Sequence, residues 1–132
     1  MRVVDASIVL RWLLKEPTGP SARALADHVA GMDVLAAPEL IHYEIANALA
    51  TKTNLGDAAL LEAYSYLLDL DIETYSLGPE ELRSAIKLAR GFGITAYDAS
   101  YLALAVALGA RVLTGDARFA RRAASLKVVD LA

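Results

Sequence analysis

The stretch "RVVDASIVLRWLL", residues 2–14, changes its periodicity at one residue. Before Asp5 stand the β-branched Val3 and Val4, which suit a short strand. After it, Ala6 to Lys15 reads as a helix, stopped by Pro17, Gly19 and Pro20. A strand that hands an acid to the start of a helix is the opening of a βαβ unit. "RVLTGDARFARRA", residues 111–123, repeats the arrangement around Asp116.

Working outward from these two stretches, strands and helices alternate. "SARALADHVAG" (21–31) reads as a helix and "DVLAAP" (33–38) as a strand. A helix follows from Pro38 to about Thr53, and "DAALLEAYSYLLDL" (57–70) is a further helix with apolar residues at helical spacing. "DIETYSL" (71–77) is a strand, "GPEELRSAIKLARGFG" (78–93) a helix, and Thr95 to Leu108 another, closed by Gly109. "ARVLT" (110–114) is a strand, "DARFARRAASL" (116–126) a helix and "KVVDL" (127–131) a last strand. Such alternation implies parallel strands joined by right-handed crossovers, so the expected class is α/β. The central parallel sheet has four to five strands, with helices on both faces. No repeat or linker is visible, and residues 1–132 are expected to form one domain.

Composition narrows the function. The mean hydropathy of +0.39 predicts a large core. No apolar run approaches the ~20 residues a membrane helix needs, so no membrane segment is expected. Cysteine is absent, which excludes disulfides, zinc thiolate sites and cysteine nucleophiles and fits a cytoplasmic location. A net charge of −3 argues against binding nucleic acid through a general basic surface. It leaves open a site where metal ions supply the positive charge.

Of the 16 acidic residues, four call for more than solvation or a helix dipole. Asp5 and Asp116 each end a strand, where an acid serves as an N-cap or overhangs a ligand crevice. If the strand order is 3-2-1-4-5, their strands are neighbours and both carboxylates border the topological switch point. Glu44, in "PELIHYEIANALA", lies too far into its helix for the dipole to explain it and borders the apolar stripe. Asn47, one turn on, is expected to share its direction. Asp98 is the one charge in "ITAYDASYLALA" (94–105). It fits the third position of a capping box begun by Thr95, yet its face is otherwise apolar, and burial there demands a partner. His28 and His42 read as structural or surface residues.

Carboxylates ~5 Å apart repel by about 3 kcal/mol per pair at an effective dielectric of ~20. Four in one crevice therefore need a divalent cation or a share of protons. A set of oxygen ligands without thiols suits Mg²⁺ or Mn²⁺, ions that often handle phosphate esters.

"VVDASIVLRWLL", "YEIANAL", "TAYDASYLALA" and "LTGDARFARRA", in this order over Val3 to Asp130, resemble the PIN-domain nucleases and, more closely, the VapC toxins of toxin–antitoxin modules. The resemblance implies a PIN-like fold and a Mg²⁺- or Mn²⁺-dependent endoribonuclease. It matches Asp5, Glu44, Asp98 and Asp116 to the family's acidic quartet, and Ser7 and Thr114 to hydroxyl residues that support it. It also implies an RNA substrate, a VapB-like antitoxin that inserts into the active-site groove, and a homodimer. The apolar excess of "ALLEAYSYLLDL" agrees with dimerisation. Arg11, Arg118, Arg121 and Arg122 follow the strand-end acids and are candidates for contacting RNA phosphates. The competing reading is a non-catalytic PIN-like module that binds RNA or a protein. A receiver or haloacid-dehalogenase domain fits poorly, because Ser7 stands where such domains carry an acid.

Overall fold

The computed structural model describes residues 1–132 as five strands, seven α-helices and one 3₁₀ turn. Chain order is β1 (Arg2–Val4), α1 (Ala6–Leu14), α2 (Gly19–Val29), β2 (Leu35–Pro38), α3 (Leu40–Lys52), α4 (Asp57–Asp69), β3 (Glu73–Tyr75), α5 (Pro79–Phe92), α6 (Ala96–Leu108), β4 (Arg111–Thr114), α7 (Ala117–Arg122) and β5 (Val129–Leu131). The sheet runs β3-β2-β1-β4-β5, the expected order, with every pair parallel. Successive residues of β1, β2 and β4 are buried without alternation, so helices cover both faces. No helix is long and apolar enough to cross a membrane by itself.

The elements differ from the expected ones mainly at their ends. α2 begins at Gly19, because Pro20 fits the first helical turn and does not end one. The last helix stops at Arg122, and Ala124–Leu126 tightens into the 3₁₀ turn, leaving Lys127 in the left-handed region at φ 58°. β3 covers only three residues and is mostly exposed, as an edge strand should be.

The core spans the sheet and its helices, and Tyr101, Phe119, Ile8, Leu35, Ile41 and Ile45 are its largest fully buried side chains. α6 touches β1, β2 and β4 and buries Ala99 to Ala105 without interruption. It is not buried on every side, however: Tyr97 and Val106 face solvent. His28 is structural, as expected. Its Nε2 lies 2.7 Å from the Leu70 carbonyl and its Nδ1 accepts from Leu35 N, which ties α2 to β2.

Candidate active site

The register of β1 on β4 pairs Val4 with Leu113, so Asp5 leaves the sheet opposite Thr114. Asp5 is only 5% exposed. One of its oxygens accepts from Ser7 Oγ at 2.6 Å and from Ile8 N at 3.2 Å, and the other accepts from Thr114 Oγ1. Capping α1 and facing the crevice are thus one placement. The same holds for Asp116, whose Oδ1 accepts from Arg118 N and Phe119 N at the start of α7. Thr114 Oγ1 also accepts from Asp116 N, and Ser7 Oγ from Gly115 N. Two hydroxyls therefore stitch the ends of the neighbouring strands together around one buried carboxylate.

Glu44 reaches this place from α3, and Tyr101 of α6 donates its phenolic proton to Glu44 Oε1 at 2.7 Å. Asp98 stands one turn before Tyr101 on α6. Thr95 caps that helix by accepting from Asp98 N, half of a capping box. Asp98 is half-buried, less than an all-apolar helix would require, because the helix N-terminus opens onto the crevice.

The four acids line one crevice of about 280 Å³, with Ser7, Tyr101 and Lys52. Burial first, then the charges of Asp5, Glu44 and Asp116, push Asp98 up to about 6. Burial likewise raises Asp5 and Glu44 against the lowering effect of their hydrogen bonds. Burial and the Glu44 charge push the Tyr101 phenol far up, so it stays a donor. No three of these acids form a ready-made group for a single ion. The donor set still suits a hard cation in kind: oxygens only, three of them short of compensating charge.

Other expected residues fall elsewhere. Asn47 is exposed and outside the crevice, since the next turns of α3 present Ala48 and Lys52 to it instead. Arg118, Arg121 and Arg122 are all exposed, but only Arg118 and Arg122 line a second cavity, which shares Asp98 and Asp116 with the crevice. Arg11 is half-buried and donates to the Ala132 carbonyl at 3.0 Å, with its guanidinium against Gly115. Sequence reasoning missed Lys52 and the Tyr101–Glu44 bond. The spacing Asp98-x-x-Tyr101, one helical turn, was the available signal.

A parallel 3-2-1-4-5 sheet with an acidic cluster beyond the ends of β1 and β4 defines an α/β protein with an anionic crevice at its switch point. The PIN domain family model matches residues 2–125, and the chain belongs to that family. It is similar to Ribonuclease VapC3 of Pyrobaculum aerophilum, 32% identical over 127 residues, covering 91% of this chain and 92% of that one. It is also similar to Ribonuclease VapC1 of Mycobacterium tuberculosis, 34% identical over 132 residues, covering 89% of this chain and 83% of that one. The fold is similar to the crystal structure of PAE2754 from Pyrobaculum aerophilum, with a TM-score of 0.69 and 25% identity, covering 92% of this chain and 84% of that one.

Proposed function

We propose that the protein is a divalent-metal-dependent endoribonuclease, the toxin of a VapBC-type toxin–antitoxin module. The carrying observation is that Asp5, Glu44, Asp98 and Asp116, brought from four separate parts of the chain, line one crevice. Membership of the PIN family and likeness to two VapC ribonucleases support the same reading.

In this reading Asp5, Glu44 and Asp98 hold Mg²⁺ or Mn²⁺, and the exposed Asp116 completes the set. When bound, the ion polarises a phosphoryl oxygen and activates water for hydrolysis. The chain's own groups do the positioning. Ser7 and Thr114 hold Asp5 in one orientation, and Tyr101 fixes Glu44 while keeping its own proton. Lys52, on the wall of the crevice, offsets part of the negative charge that an RNA strand meets there. Hydrolysis gives the hydroxyl of water to phosphorus and a proton to the leaving oxygen.

Purified protein should cleave RNA with Mg²⁺ or Mn²⁺ and stop in EDTA. Full metal-dependent cleavage by Asp5→Asn would contradict the assignment. The rival reading is a non-catalytic module. That rival predicts RNA or protein binding with no turnover in any metal.

The wider proposal is a cytoplasmic protein, one domain over residues 1–132, neutralised by a VapB-like antitoxin and paired as a homodimer. Leu61 and Leu68 of α4 are 69% and 55% exposed, the surface a second copy would cover. Leu61→Glu is expected to shift the sedimentation coefficient to that of a monomer, and an unchanged coefficient would remove α4 from the interface.

A further inference from the structure

A cavity of about 200 Å³ adjoins the acidic crevice, and Asp98 and Asp116 belong to the walls of both. Its other wall is cationic, formed by Arg118 and Arg122 of α7. Neither arginine has a carboxylate partner, so both charges are free to meet a ligand in the cavity. The Arg122 guanidinium is held in place by donating to the Gly93 carbonyl at 3.2 Å. Its other N–H groups have no partner within the chain, although a guanidinium carries five donors.

The backbone makes room for this placement. Gly93 ends α5 in the left-handed region at φ +64°, and a Cβ there would come within 2.7 Å of Arg122 Nη1. A single glycine therefore both closes a helix and admits the arginine.

The division of charge selects the ligand. The acid wall attracts cations and repels polyanions, while unpaired guanidinium groups match phosphate oxygens through charge-assisted bonds. With a chain of net charge −3, RNA needs local cations to lie along the crevice. Contacts of this kind position a strand without reading its bases. We propose that Arg118 and Arg122 seat the RNA phosphate next to the one cleaved, setting the register of the strand across Asp98 and Asp116. This assignment rests on the ribonuclease reading.

The test measures binding of a labelled RNA hexanucleotide over a salt series at fixed Mg²⁺, with Asp5→Asn as the parent to prevent cleavage. Adding Arg118→Gln and Arg122→Gln should lower the slope of log K against log salt by about 0.7, the value for one phosphate on a single strand. Arg118→Lys with Arg122→Lys should restore the slope, because the two ammonium groups return the positive charge to the cavity. Arg121→Gln, on the same helix but outside the cavity, should leave it unchanged. The salt dependence of kcat/KM in the otherwise wild-type protein gives the same comparison without Asp5→Asn. An unaltered slope in the glutamine variant, at an equal melting temperature, overturns the seat. So does an equal loss in Arg121→Gln. Wild-type protein that cleaves no RNA overturns the ribonuclease reading and this assignment together, whereas cleavage with an unaltered slope overturns the assignment alone.

Discussion

At the scale of single residues, charge held out of water sets the expected behaviour. At Asp98, burial and the neighbouring carboxylates push the carboxyl up to about 6 in the folded chain, from an ordinary value of 3.8. Between those values the folded state binds more protons than the unfolded one, so stability falls as pH rises through this window and then levels off. The raised Asp5 and Glu44 act in the same direction. Melting curves of metal-free wild type and Asp98→Asn should therefore diverge between pH 3.8 and about 6, in favour of the variant, and run parallel above it. Parallel curves within that window would show that Asp98 carries no such strain. Tyr101→Phe removes the hydrogen bond to Glu44 and should cost about 1 kcal/mol in denaturant unfolding, since water at the half-buried carboxylate replaces part of the bond. The need for a partner at Asp98 followed from its apolar neighbours. The carboxylates that crowd it did not, because they come from the β1–α1 junction, α3 and the β4–α7 turn.

At the scale of elements, helix ends do two jobs at once. Asp5 and Asp116 are N-caps and crevice acids together, so the two readings of each were never exclusive. Thr95→Ala should cost about 1 kcal/mol through loss of the α6 cap, measured by urea unfolding. Gly93 and Gly109 both end helices with positive φ. Alanine at either should cost about 1–2 kcal/mol for the left-handed conformation. Only Gly93→Ala also displaces Arg122, so it alone should weaken RNA binding, while Gly109→Ala lowers stability with RNA binding intact. Equal RNA affinities in the two variants would separate Gly93 from the site. Strand and helix order was legible here because proline, glycine and acidic residues punctuate the chain. The phase of each helix was not: Asn47 was expected beside Glu44, but Ala48 and Lys52 continue that line on α3.

At the scale of the whole molecule, the crevice is where stability and activity oppose each other. A cation that neutralises it binds the folded state alone, and at 100 times its dissociation constant it adds about 2.7 kcal/mol. Millimolar Mn²⁺ should therefore raise the wild-type melting temperature and raise that of Asp98→Asn less. Equal shifts in the two proteins would place the ion elsewhere.

What the sequence by itself determined is the succession of elements, the parallel sheet and the choice of four acids that the fold brings to one crevice. Those follow from local periodicity, turn residues and the handedness of crossovers, which act over a few residues at a time. Only the tertiary structure decided which neighbours the acids have. Thr114 reaches Asp5 across 109 positions of chain and Tyr101 reaches Glu44 across 57. Arg122, rather than Arg121, lines the cavity shared with Asp98. Such contacts depend on sheet register and helix rotation, quantities fixed by packing of the entire core.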